Sequence, residues 1–189
     1  LIVMLPLAAL YFTHPGAGIE SQHDPVNLVF SILLLPYPVH PILGVAWTLV
    51  HEVLFYLLFG LIIAAGRRAL WILPGWGALI LLLALLAGPL PFPFDILLNP
   101  FNLEFLLGIS AALWLKYGRV PAPAAVALAG AAAFLSAMAM GAYIVPTPLL
   151  ARTVFGLSSA AYVAGIVELE RTSGLSIPRP FLLIGAASY

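Results

Sequence analysis

Five apolar stretches, at residues 43–65, 69–88, 101–117, 122–143 and 149–168, limit what this chain can fold into. Each is long enough, or nearly so, to cross the hydrocarbon core of a bilayer, which takes about 20 helical residues. The shortest, 101–117, sits at the lower limit and is expected to tilt little or to thin the bilayer around it. None alternates polar and apolar residues as a membrane β-strand must, so the backbone is expected to satisfy its own hydrogen bonds as helices. The expected fold class is therefore all-α, a polytopic transmembrane helical bundle. Charge agrees with this, because charged residues make up 7% of the chain where a soluble domain carries about 25%.

Two partial segments flank the five complete ones. The run from Leu1 to Phe12 reads as the end of a longer helix, and Phe181 to Tyr189 opens a segment too short to span, so both ends are expected to be cut. Orientation follows from Lys and Arg, which short cytoplasmic loops hold in excess. Arg67 and Arg68, then Lys116 and Arg119, then Arg171 and Arg179 mark alternate connections, so loops 66–68, 116–121 and 169–180 are expected in the cytoplasm. The intervening stretches 13–42, 89–100 and 144–150 contain no Lys or Arg and are expected outside. Trp71, Trp76, Trp114, Tyr117 and Tyr143 lie near segment ends and fit an interfacial aromatic belt.

Several function classes drop out at this point. Seven basic residues balance seven acidic ones, which leaves no net field to attract nucleic acid or a strongly acidic partner. Without cysteine there is no disulfide framework, thiolate metal site or thioester-forming nucleophile. His14, His23 and Asp24 in the outer stretch match no common metal-ligand spacing, and no metal is expected. Ala125, Ala129, Ala133, Ala137 and Gly141 recur at steps of four down one helix face, Gly156, Ala160 and Ala164 form a similar ladder, and these two helices are expected to pack against each other.

The most informative stretch is Trp47-Thr48-Leu49-Val50-His51-Glu52-Val53-Leu54-Phe55-Tyr56, because it sets a carboxyl inside an apolar helix. Insertion there costs about 2.5–3.5 kcal/mol at a helix centre and less near the interface, so Glu52 should face protein or water. Thr48, Glu52, Tyr56 and Phe59 share one face, while His51 points about a quarter-turn away. His51 reads as a satisfied interior histidine rather than half of a dyad with Glu52.

This stretch resembles bacterial acyltransferase family 3, membrane O-acyltransferases that include O-antigen acetylases and exopolysaccharide acyltransferases. The pattern there is Trp-Ser/Thr-Leu-x-x-Glu-x-x-Phe-Tyr, and Trp47, Thr48, Leu49, Glu52, Phe55 and Tyr56 match it. Three further stretches are similar and in the same order: Asn102 to Gly108, Arg152 with Phe155-Gly156-Leu157, and Gly185 to Tyr189. The segment through Val167-Glu168-Leu169-Glu170 looks closest to the exopolysaccharide branch. The resemblance implies a parent of roughly ten helices that takes an acyl group, acetyl above all, from cytoplasmic acyl-CoA and delivers it to a sugar hydroxyl of an extracytoplasmic polysaccharide or glycolipid. The implied place is the bacterial inner membrane, and the partners are lipid, acyl-CoA and glycan.

Glu52 is then the catalytic candidate, and Trp47, Thr48, Tyr56, Glu104 and Arg152 are substrate-binding candidates. The family's proposed catalytic histidine lies in earlier helices that this chain does not include, so no base is named and the chain alone is expected to be inactive. Glu104 and Arg152 fall at the outer ends of their segments, on the side of Glu52, which is compatible with an outward-facing cavity or with a plain structural ion pair. The six cytoplasmic basic residues could meet acyl-CoA phosphates, although the positive-inside rule already accounts for them. Two rival classes remain: a transporter or flippase of a lipid-linked sugar, with Glu52 as relay, and a non-catalytic membrane scaffold.

Overall fold

A computed structural model describes residues 4–14, 16, 18–140, 148–174, 180 and 182–183. The described chain is all-α: α1 (Met4–Thr13), α2 (Pro25–Leu33), α3 (Trp47–Ala64), α4 (Ile72–Leu86), α5 (Phe94–Leu97), α6 (Asn102–Tyr117), α7 (Pro123–Met140) and α8 (Pro148–Ser173), with short 3-10 turns between some of them. It divides into two compact units, Leu1–Leu103 and Glu104–Tyr189. Among the described residues, four helical stretches are long and apolar enough to cross a membrane: Gly44–Ala64, Arg67–Leu86, Phe94–Tyr117 and Leu149–Ser173.

The first unit buries Ile42, Val50, Phe55, Ile62, Leu73 and Ile80 together with the polar Asn27, Ser31, His51 and Asn102, and leaves many apolar side chains exposed. Helix α2 buries Asn27 and Ser31 while Val29 and Leu33 are more than half exposed. Leu57 and Leu61 on α3 and Leu85 and Leu86 on α4 are likewise exposed. A protein in water avoids such patches, whereas hydrocarbon solvates them at no cost. The stretch 13–42 is not an open loop. Asp24 caps α2 by accepting from the Val26 amide at 2.8 Å, with Pro25 in the first turn, where its missing N–H is not needed. Asn27 donates to the carbonyls of Ser21 (2.7 Å) and His40 (3.0 Å), and Ser31 Oγ accepts from the Ile42 amide at 3.0 Å. These bonds hold residues 40–42 against α2, so Asp24 serves as a helix cap.

Two boundaries differ from the sequence expectation. The expected shortest span, 101–117, belongs to the 24-residue stretch Phe94–Tyr117, because α5 forms within the proline-rich stretch expected to be a loop. Helix α8 runs on to Ser173, past the expected cytoplasmic boundary at 169, with its polar end bonded internally: Arg171 pairs with Glu168 at 3.3 Å and Thr172 Oγ1 donates to the Glu168 carbonyl. The apolar run of α7, Pro123–Ala139, is the shorter one.

In the second unit α7 and α8 lie backbone to backbone. A Cβ added at Gly130 would stand 2.5 Å from the Tyr162 nitrogen, and one at Gly165 would stand 2.5 Å from the Ala127 nitrogen. The expected stripe is therefore corrected. Ala125, Ala129 and Ala133 are exposed, and the buried face of α7 carries Ala127, Gly130 and Ala137. On α8, Gly156 faces α6 instead, where a Cβ would meet Leu107 at 2.7 Å. A step of four drifts around a 3.6-residue helix, so the stripe leaves the contact line that 127, 130 and 137 follow. Gly141 and Tyr143 lie outside the described residues, as do Arg179 and Gly185 to Tyr189.

Candidate functional site

Helix α3 carries the motif residues of the first unit. Tyr56 Oη donates to Glu52 Oε1 at 2.8 Å, the one-turn spacing that sets residues i and i+4 above each other. Glu52 is half-buried and Tyr56 exposed. Thr48 turns its hydroxyl back to the Val45 carbonyl at 3.0 Å, in the 3-10 turn that precedes its helix. Trp47 packs on Phe101 (ring centroids 5.1 Å apart) and edge-on to His51 (5.8 Å).

The centre of this cluster is Asn102, which the sequence reading quoted within a motif but did not propose as a site residue. It is fully buried. Its Nδ2 donates to the carbonyls of Ile96 (2.9 Å) and Leu97 (3.1 Å), and Trp76 Nε1 also donates to Leu97 at 3.0 Å. These bonds add side-chain donors at the C-terminal end of α5, where the backbone amides of Leu98 and Asn99 already reach the Phe94 and Ile96 carbonyls. With Nδ2 committed to donation, Oδ1 is the acceptor facing His51 Nδ1 at 3.3 Å. The network therefore assigns the proton to His51 Nδ1. His51 is buried as an interior histidine, and Trp76 anchors α5 rather than only serving an interfacial belt.

The second unit joins two candidates that lie 48 positions apart. Arg152 Nη1 approaches Glu104 Oε1 at 3.3 Å, with 35% and 28% of the two side chains exposed. Glu104 sits in the first turn of α6, where the helix dipole favours a carboxylate. The pair stands at one end of a cleft of about 480 Å³ between α6 and α8, with Phe134 of α7 in its wall. Near the other end of α6, Arg171 donates to the Leu115 carbonyl at 2.9 Å and to Glu168, whose side chain is 2% exposed. Arg171 thus closes an orphan carbonyl in the last turn of α6 and neutralises a buried carboxylate with one side chain. Periodicity could not announce Phe134 or Glu168, the second of which ends its apolar segment among charged neighbours.

The other basic residues are at the surface: Arg67, Arg68 and Arg119 are exposed, and Lys116 lies over the Tyr117 ring at 5.1 Å. No family model, curated protein or solved structure matches this chain.

Proposed function

We propose that this chain is a membrane-embedded O-acyltransferase module that serves transfer of an acyl group, acetyl above all, from acyl-CoA to a sugar hydroxyl of an extracytoplasmic polysaccharide or glycolipid. The observation that carries the reading is the meeting of Glu104 and Arg152. They come from two separate stretches that resemble the same family, and they meet in three dimensions at the mouth of a cleft. A carboxylate beside a guanidinium offers an acceptor and a donor together, the arrangement that hydrogen-bonds a sugar hydroxyl and orients its oxygen. The Glu52–Tyr56 pair of the first unit makes a second polar position of the same kind.

In the transfer, the hydroxyl oxygen forms a bond to the thioester carbonyl carbon, the carbon–sulfur bond breaks, and the hydroxyl proton leaves with the CoA thiol. Glu104 and Arg152 would position the acceptor, and Glu52, bonded to Tyr56 within its own helix, is the separate catalytic candidate of the first unit. We place the module in the bacterial inner membrane with residues 66–68, 116–121 and 169–180 toward the cytoplasm, where Arg67, Arg68, Lys116 and Arg119 would meet the charged part of acyl-CoA.

The test uses membrane vesicles of defined orientation from bacteria that express the encoding gene, supplied with isotope-labelled acetyl-CoA. The expected result is alkali-labile label on glycan only when the cytoplasmic face is accessible, and its loss in Arg152→Gln at unchanged protein level. Label that persists in Arg152→Gln would remove Arg152 from the site. No label in the parent would leave a transporter or scaffold as the better reading.

A further inference from the structure

We infer that the α6/α8 cleft holds the hydrocarbon chain of a neutral glycolipid, with its sugar at Glu104 and Arg152 and its chain running toward Leu115. The sugar assignment rests on the acceptor chemistry proposed above. The polarity of the cleft is one-sided. Glu104 is the third residue of α6 and Arg152 the fifth of α8, so the two helices run parallel and their ionic residues mark the same end. From there the walls are apolar apart from Ser159, through Gly108, Ala112, Phe155, Ala160 and Val163 to Leu115. Glu104 to Leu115 covers about 16 Å of helix at 1.5 Å per residue. That is the profile of an amphiphile lying along the membrane normal, head at the interface and chain in the hydrocarbon.

Charge selects the kind of head. One carboxylate and one guanidinium sum to zero at the mouth. An anionic head would gain from Arg152 about what it loses to Glu104, and a cationic head the reverse, so the pair gives net attraction to neither. A neutral hydroxylated head meets both groups favourably, because each hydroxyl donates to the carboxylate and accepts from the guanidinium. Partial exposure of both side chains leaves them accessible to such a head.

The chain is reconstituted in phosphatidylcholine nanodiscs without acyl-CoA and labelled with alkyl glucosides that carry a diazirine either beside the sugar or at the chain terminus. The expected result is cross-linking to residues 104–108 and 152–156 by the first probe and to 112–115 and 160–163 by the second. An excess of unlabelled alkyl glucoside should lower both by about tenfold, and the corresponding fatty alcohol should not. Ala112→Trp should abolish labelling in the cleft, while Leu128→Trp, on an exposed face of α7, should not. The inference is overturned by reversed order of the two probes, by label spread evenly over exposed helix faces, or by equal displacement with fatty alcohol, which would mark ordinary boundary lipid. The order of the probes is read on the parent chain and needs no variant. Because binding is read apart from transfer, cleft labelling in nanodiscs with no acyl transfer in cells that carry the encoding gene would sink the enzyme reading alone, and transfer in those cells without cleft labelling would sink this inference alone.

Discussion

The Glu52–Tyr56 pair and the Glu104–Arg152 pair are both carboxylates held by a donor, but they are built in different ways. The first lies within one helix at a spacing of four, so forming α3 is enough to make it. The second requires α6 and α8 to stand side by side in the correct register, which depends on Gly156 admitting Leu107 and on Arg171 reaching the Leu115 carbonyl. A local pair reports on the helix, whereas a tertiary pair reports on the packing of its whole unit. The second is therefore the more sensitive to changes at a distance.

The largest effect that separates the two should come from the α7–α8 contact. Gly130→Leu or Gly165→Leu forces a side chain into backbone and should cost about 3 kcal/mol, the upper part of the overpacking range. Ala129→Leu and Ala133→Leu, on the exposed stripe, should stay within about 0.5 kcal/mol. Denaturant titration in micelles reads both, and equal effects would return the contact line to the alanine stripe.

Next in size is Asn102→Ala, expected to cost about 2 kcal/mol because it removes the side-chain bonds to the Ile96 and Leu97 carbonyls and to His51 from a fully buried position. Nitrogen-edited NMR should also show loss of the His51 Nδ1 proton signal seen in the parent. If that signal is absent from the parent, the assigned tautomer is wrong.

A double-mutant cycle on Glu104→Gln and Arg152→Gln should give a coupling of about 1 kcal/mol or less, since both side chains are partly exposed. Tyr56→Phe should cost about 0.3 kcal/mol, the scale of a one-turn helical pair. A coupling of several kcal/mol would turn the tertiary pair from a site into a structural lock.

The smallest effect concerns pH. Desolvation, and then the neighbouring Asp24 carboxylate, raises the Tyr37 phenol above its ordinary value of 10.0. The neutral phenol is thus favoured in the folded state, so its contribution is full below pH 10 and fades as pH rises through the raised value. Amide exchange in α2 should accelerate in that alkaline window for the parent, and Tyr37→Phe should remove the extra step.

Helix content was legible in the sequence because a bilayer segment advertises itself by length and lack of charge, and the expected segment 43–65 lies within one residue of the structural span Gly44–Ala64 at each end. Helix α5 was hidden, since Pro91 and Pro93 read as loop while its end is held from outside by Asn102 and Trp76. The α7 contact face was misread because alanines at steps of four form a pattern whether or not anything faces them, and only the partner backbone decides that Gly130 and Gly165 are the contact points. Glu104 and Arg152 were legible as candidates on one side of the membrane, with a shared cavity or an ion pair both open, but the contact itself was not fixed, because nothing in local spacing encodes a contact across 48 residues.

The most direct test of the central claim is mass spectrometry of surface glycan from cells that carry the encoding gene, comparing the parent with Glu52→Gln and Arg152→Gln at matched membrane levels. The account predicts an acyl mass increment in the parent that both substitutions abolish or sharply reduce. An increment of full size in both variants would contradict it.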